Sequence, residues 1–472
     1  ASIVYRFCNL GFAFERLSMP ASSPNLIYIL ADDMGYGDLS CCNPDSKIRT
    51  GHLDRLAATG MRFTDAHSSS AVCTPSRYSI LTGRYAWRTP LKHSVLFGYD
   101  APLIEDGRMT VASLLKTRGY ATGCIGKWHL GWTWARNSDA PEDVDFARPV
   151  RGGPTEKGFD TFFGIAGSLD MTPYVYVHDD MPTAVPDHET EGTGKQFWRK
   201  GPTAPDFVHM DVLPNCTRRA CSFIEEHRNE PFFLYVPLPA PHVPILPTPE
   251  FQGKSGTNAY GDFCLMIDDT VGRIMDTVSA CGLEENTIII FTSDNGCSPT
   301  ADFAELAVCG HNPSYIFRGH KADIYEGGHR IPLIVRWPAG IGQGRVCDET
   351  VCLSDLLATM AELLGQSLPD NAGEDSVSNL PLWRGANHPV REATVHHSID
   401  GSFSIRRGGW KLELCPGSGG WSYPRPGEEP AGSSPFQLYD LAVDIGERRN
   451  VLHEYPAVAS ELRAMLTRYV VN

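Results

Sequence analysis

The feature that most limits how this chain can fold is an alternation of short, wholly apolar runs with amphipathic stretches of helical period. "NLIYIL" (25–30) is continuous, carries β-branched and aromatic residues, and stops abruptly at "ADDMGYGD". A run without a polar face marks a strand covered on both sides. "PFFLYVPL" (231–238), "NTIIIFTSDNG" (286–296) and "IPLIVRWP" (331–338) repeat the pattern, and "MRFTDAHSS" and "ATGCIGKWHLG" (121–131) read as shorter strands leading into loops. Helices are expected over 53–59, closed by Gly60, over 110–120, stopped by Gly119, and over 216–228, 260–282 and 353–365. Strands and helices in this order build an α/β fold: a large mixed, mostly parallel sheet flanked by helices.

Composition shifts over 366–391, where Pro, Gly, Asn and Asp accumulate. Beyond it, "ATVHHSIDGSFSIRRGGWKLEL" alternates as antiparallel strands do, residues 416–435 read as a loop, and a helix closes the chain near 456–470. The expected division is therefore an extension over 1–23, a main domain over 24–380, and a smaller C-terminal α+β domain with an antiparallel sheet over 381–472.

The 472 residues are 42% apolar and 21% charged, an ordinary globular balance, and the net charge of −15 speaks against nucleic-acid binding. No run of about 18 apolar residues occurs, so no membrane insertion is expected. Residues 1–23 are interrupted by Arg6, Asn9, Glu15 and Arg16 and lack an apolar leader core and cleavage site, which leaves the compartment open. The 14 cysteines show no CxxC spacing, so mostly free thiols are expected, with one or two bridges if the protein is exported. Asn215-Cys216-Thr217 is formally a glycosylation sequon.

In open α/β sheets, ligands sit beyond the carboxyl ends of the strands. Asp32-Asp33 follows one strand, and Ser293-Asp294-Asn295-Gly296 ends another. Hard oxygen ligands at two strand ends can converge on a divalent cation; equally, Asp and Asn are common turn and cap residues. Basic groups punctuate the same kind of loop: Lys127 and His129 two apart in "GKWHLG", His242 between prolines in "PAPHVP", Lys321, and His329-Arg330 after a glycine pair. Together they suggest a cradle for an anion, although single Lys and His residues are usually just solvated or satisfied.

"CTPSRYSILTGR" (73–84) resembles the signature of the type I, formylglycine-dependent sulfatases, relatives of the alkaline phosphatases. The likeness extends, in order, through "NLIYILADDMGYGD", "GYATGCIGKWHLG", "PHVP", "TSDNG" and "KADIYEGGHRIP", with "LYDLAVDIGERRNV" similar to the family's C-terminal stretch. It covers the chain from about residue 24 onward and implies that 24–380 is a catalytic sulfatase domain. The resemblance implies that Cys73 becomes formylglycine through a formylglycine-generating or anaerobic sulfatase-maturating enzyme that reads Pro75 and Arg77. An aldehyde hydrate beside a cation is an activated hydroxyl nucleophile, which a thiol is not. Asp32, Asp33, Asp294, Asn295 and residue 73 would hold the metal, Ca²⁺ in preference to Mg²⁺ or Mn²⁺. Arg77 would stabilise the modified residue, and Lys127 and Lys321 would hold sulfate oxygens. His242, alone or together with Lys321, would protonate the leaving alcohol, and His129 would deprotonate the second hydroxyl so that the sulfated enzyme breaks down to the aldehyde.

The resemblance is nearest to carbohydrate sulfatases of bacteria and implies a sulfated sugar as substrate, such as sulfated N-acetylgalactosamine of a glycosaminoglycan oligosaccharide. The acidic charge disfavours long polyanions, which points to exo action on a chain end. Asp170 and His178 in "GSLDMTPYVYVHDD" and His396 and Arg406 in "HHSIDGSFSIRRGGW" are the candidates for binding the sugar. Packing of Tyr174 and Tyr176 in the sheet and a plain surface Arg406 are the competing readings. Two other functions fit the same motifs: a phosphonate or phosphodiester hydrolase of the same superfamily, and a degenerate member that only binds glycan.

Overall fold

The computed structural model describes residues 23–471. The extension expected over 1–23 lies outside these residues, Ser23 excepted. Ten strands form the large sheet. In chain order they are β1 (Asn25–Asp32), β2 (Met61–Phe63), β3 (Ala121–Lys127), β4 (Thr161–Ile165), β5 (Val177–His178), β6 (Met181–Pro182), β7 (Phe232–Pro241), β8 (Thr287–Ser293), β9 (Leu333–Arg336) and β10 (Arg345–Cys347). Across the sheet they run β10-β2-β9-β8-β1-β7-β3-β4-β5-β6. β8, β1, β7, β3 and β4 are mutually parallel; β9, β5 and β6 bring in antiparallel pairings at the flanks. Every residue of β1 is buried, as a strand covered on both faces requires.

The covering helices include α1 (Cys73–Thr82), α2 (Val212–Glu226), α3 (Ala259–Ala280) and α4 (Leu356–Leu363). α2 and α3 pack on each other and on β7, while α1 packs against α4. Asn215 of the sequon lies inside α2. A polar hairpin, His188–Gly192 with Trp198–Thr203, was not expected from the sequence, because neither strand carries an apolar face.

The C-terminal sheet is antiparallel, β11 (Thr394–His397), β12 (Phe403–Arg407), β13 (Trp410–Glu413) and β14 (Gln437–Asp440), with helix α5 (Pro456–Val471) packed on β12 and β13. Its core of Val395, Ile405, Leu412, Leu438, Leu462 and Met465 also takes in Tyr85 and Trp87 from the first domain, whereas Leu380, Leu382 and Trp383 belong to the larger core. The two domains are thus joined through apolar packing as well as hydrogen bonds. Among the described residues the cysteines are free, and no helix is long and apolar enough to cross a membrane.

Candidate active site

The register of the central strands assembles the site. Asp32 is level with Pro241 of β7, Ala31 with Ser293 of β8, and Tyr235 of β7 with Cys124 of β3. Three neighbouring parallel strands therefore deliver Asp32-Asp33, His242 and Asp294-Asn295 to one edge, and β3 adds Lys127 and His129. Asp33 and His129 take left-handed backbone, φ 69° and 54°, where the chain turns out of its strand. For side chains other than glycine this costs energy and is kept only where the surroundings enforce it. Here Asp33 N–H donates to Asp294 Oδ1 (3.2 Å) and Met34 N–H to Ser293 Oγ (3.0 Å).

Cys73 is the first residue of α1, where Pro75 is tolerated because the first turn needs no amide donors. The helix is buried along its whole length and ends at Gly83 in left-handed conformation, φ 65°, where a Cβ would come within 2.9 Å of Gly373 Cα. The segment leading to Cys73 is held by the C-terminal domain: Ala71 N–H donates to His397 O (3.0 Å) and His397 N–H to Ser69 O (3.1 Å). Ala322, next to Lys321, donates to Ala71 O at 2.8 Å. The two domains thus set the spacing between residue 73 and Lys321.

Cys73 Sγ lies 3.5 Å from Asp32 Oδ1. Lys127 Nζ is 2.7 Å from Asp32 Oδ2, and Lys321 Nζ 2.7 Å from Asp33 Oδ2. Arg77 donates from Nε and Nη2 to Asp294 Oδ2 (3.0 and 2.8 Å), from Nη1 to Lys127 O (3.0 Å), and comes within 3.4 Å of Asp32. His242 Nε2 is 3.6 Å from Asp33, and its Nδ1–H donates to Val243 O at 2.6 Å. His129 Nε2–H donates to Leu96 O at 2.7 Å, which leaves Nδ1 buried without a partner. Asn295 donates to Asp33 Oδ1 at 2.7 Å, and its own Oδ1 is likewise buried without a partner.

The electrostatics follow from burial. Burial opposes the charge on Asp32, but Lys127, His242 and Arg77 together hold its carboxyl well below the usual range. Burial, then the charge of Asp32, pushes Asp294 up to about 6 despite Arg77. Burial drives the Cys73 thiol well above the ordinary thiol range, more than Lys127 and Lys321 can offset. Burial, then Lys127 and Arg77, keep the His129 imidazole neutral, well below its usual value.

The residues fit a divalent cation. Asp32, Asp33, Cys73 and His242 present ligand atoms within 4.8 Å of one another, and the unpartnered Asn295 oxygen adds a further hard donor. Arg77, Lys127 and Lys321 already pair with the three buried carboxylates, so the fit rests on the donor set and its spacing and not on an excess of negative charge.

Of the sugar-binding candidates, the structure brings only Asp170 to the site: its Oδ1 is 3.9 Å from His242 Nδ1. His178 is exposed on the edge pair of strands, its ring edge-on to Phe163, outside the cluster. His396 and Arg406 correct the sequence reading most sharply. Both are buried between the domains in a network with Asp65, His67, Glu326, His329, Arg330 and Lys411. His396 stacks on His329 with ring centroids 3.8 Å apart, and Arg406 pairs with Asp65. His329-Arg330 is therefore part of an interdomain brace and not of an anion cradle. Tyr174 and Tyr176 are buried, as their packing reading had it. What the sequence reading missed are backbone acceptors, Leu96 O for His129 and Val243 O for His242; no motif records them.

Residues 24–366 match the sulfatase family. The N-acetylgalactosamine-6-O-sulfatase of Bacteroides thetaiotaomicron is 36% identical over 94% of this chain and 93% of its own length. Human arylsulfatase A is 33% identical over 92% of this chain and 84% of its own. A structure solved in work on the metabolism of multiple glycosaminoglycans by Bacteroides thetaiotaomicron superposes with a TM-score of 0.85 at 35% identity, covering 95% of this chain and 100% of that one. With the strand-end carboxylates, the buried cations and the CTPSR helix start all in place, the chain belongs to the sulfatase family and is a sulfuric ester hydrolase.

Proposed function

We propose that this sulfatase acts from the end of a sulfated oligosaccharide, removing sulfate from 6-O-sulfated N-acetylgalactosamine. The substrate is carried over from the Bacteroides thetaiotaomicron enzyme, which aligns over nearly the whole of both chains. The observation that carries the chemistry is the 3.5 Å approach of Cys73 Sγ to Asp32, inside a ring of Arg77, Lys127, His242 and Lys321.

In the proposed mechanism Asp32, Asp33, Asp294, Asn295 and residue 73 would hold Ca²⁺, and residue 73 would be formylglycine installed by a maturating enzyme. The ion would supply Lewis-acid stabilisation of oxygen charge, and the hydrated aldehyde the nucleophilic hydroxyl. Arg77 fixes Asp294 from two nitrogens and so keeps one ligand carboxylate oriented. Lys127, paired with Asp32, and Lys321, paired with Asp33, hold the sulfate oxygens and offset their charge in the transition state. His242 has committed Nδ1–H to Val243 O, so Nε2 is the atom that passes a proton to the leaving sugar oxygen. His129, neutral and with Nδ1 bare, accepts the proton that residue 73 must release to close the cycle.

The test is a panel of 4-O- and 6-O-sulfated N-acetylgalactosamine and N-acetylglucosamine, with an aryl sulfate and an aryl phosphodiester for reference. Fastest turnover is expected for the 6-O-sulfated galactosamine. A higher kcat/KM for the phosphodiester refutes the reading; preference for another sugar sulfate refutes its substrate.

A further inference from the structure

The mouth of the site carries a cation that the mechanism does not use. Asp170 is 92% buried by side chain and divides its carboxylate: one oxygen takes Arg199 Nη1, while Oδ1 is buried, unpartnered and turned toward His242. Arg199 also donates from Nη1 to Asp170 O at 3.0 Å, and the Tyr174 hydroxyl donates to Arg199 O. The guanidinium is 44% exposed, and its Nε and Nη2 have no hydrogen-bond partner among the described residues.

Two phenyl rings flank this guanidinium, Phe97 at 5.8 Å and Phe197 at 5.7 Å from ring centroid to guanidinium carbon. Both are large apolar side chains left open, 48% and 40% exposed. Phe97 is held on either side: Leu96 O accepts from His129, and Gly98 O accepts from Trp134 Nε1 at 2.8 Å. The loop with Phe197 is tied to the segment after His242, where Ile245 N–H donates to Lys195 O at 2.8 Å. The cation is thus pre-positioned by an acid, two rings and anchored backbone, so little side-chain entropy is lost when it binds. A planar guanidinium with free donors is matched to a carboxylate or sulfate, and half-open phenyl rings suit the apolar face of a sugar.

We infer that Phe97, Phe197 and Arg199 form a subsite for the sugar adjoining the sulfated one, and that Arg199 reads an anionic group, carboxylate or sulfate, on that neighbour. The inference rests on the sugar-sulfate reading above. Asp170 then serves both sugars: Oδ1 accepts from a hydroxyl of the sulfated ring, while its other oxygen holds Arg199 for the next.

The test uses the matured, metal-loaded enzyme and disaccharides whose sulfated N-acetylgalactosamine is joined to a uronic acid, to the same sugar with its carboxyl reduced to the alcohol, or to a neutral sugar bearing a sulfate. An anionic neighbour is expected to raise kcat/KM about tenfold over the carboxyl-reduced compound, the low end for a charged hydrogen bond half-open to water. Which anionic arm gains tells carboxylate from sulfate. Arg199→Gln is expected to bring the ratio close to one, and raised salt to lower it in the wild type. Equal rates on all three disaccharides with the wild-type enzyme overturn the proposal without needing any variant, as does a ratio that survives Arg199→Gln. Turnover of an aryl sulfate but of none of the sugars refutes the sugar reading itself, and the subsite with it.

Discussion

Arg77→Met is the most informative single change, because the buried guanidinium connects the helix that begins at Cys73 to the strand-end carboxylates. Arg77 and Asp294 are both fully buried; the arginine donates twice to Asp294 Oδ2, at 3.0 and 2.8 Å, and once to Lys127 O at 3.0 Å. Removing one partner of a buried pair leaves an uncompensated charge, which costs about 3–5 kcal/mol. Asp294 is already raised to about 6, above its unfolded value, so its folded form takes up a proton more readily than the unfolded chain does. Without Arg77 this carboxyl rises further. The sign is then fixed: the unfolded chain releases the proton first as pH rises, so the variant's stability deficit grows as pH rises above about 6 and shrinks as Asp294 protonates. Urea unfolding of both proteins, in chelator and at several pH values, measures it. Asp294→Asn in the Arg77→Met background should recover a large part of the loss, and the double-mutant cycle isolates the pair. A deficit below about 1 kcal/mol that is flat with pH would refute the reasoning, since a pair this buried cannot be energetically silent.

Three further outcomes follow, two from the site and one from the interdomain brace. Activity across preparations should scale with the fraction of Cys73 converted to the aldehyde, read as the thiol-to-aldehyde mass difference on the peptide carrying residues 73–77; full activity of wholly unconverted protein would refute the nucleophile. Chelation should abolish turnover and lower the unfolding temperature, with Ca²⁺ restoring both, because a ligand bound only by the folded state stabilises it in proportion to the logarithm of its concentration; unchanged melting in chelator counts against the carboxylate cluster as a metal site. Lys411→Met should cost about 3–5 kcal/mol, since Lys411 is buried against Glu447 (2.7 Å), Glu413 (3.2 Å) and Glu326 (3.3 Å), with the loss easing at low pH, where Glu413 and Glu447, both raised by burial, are protonated; equilibrium unfolding of the variant at pH 5 and pH 8 gives the comparison.

The strands were legible because β1, β7 and β8 are buried on both faces and leave an unbroken apolar run bounded by polar turns. The helix that begins at Cys73 carries Pro75 near its start and Gly83 past its end, but its burial along the whole length leaves no amphipathic period by which to bound it. The hairpin over 188–203 was not legible, since its exposed strands, "HETEG" and "WRKGPT", have no hydrophobic period to reveal them. His396 and Arg406 were misjudged for a related reason. A buried ion pair and a solvent-facing sugar binder use the same side chains, and only the surroundings, here Asp65, His67 and His329, distinguish them. Arg199 belongs to no motif, and its pairing with Asp170 and its approach to Phe97 and Phe197 exist only in the folded chain.

By itself the sequence determined the layered α/β architecture and the inventory of reactive side chains at the strand ends. Local chemistry dictates both: apolar period selects strand or helix, and turns place Asp, Asn, Lys and His where strands stop. Tertiary structure alone decided which of these groups meet. The parallel register sets Asp32 beside Asp294, the C-terminal domain fixes Cys73 against Lys321 through Ala71 and Ala322, and burial decides which carboxyls keep their protons. Those are contacts between residues tens to hundreds of positions apart, and their energies depend on the dielectric and the distances that only the folded chain creates.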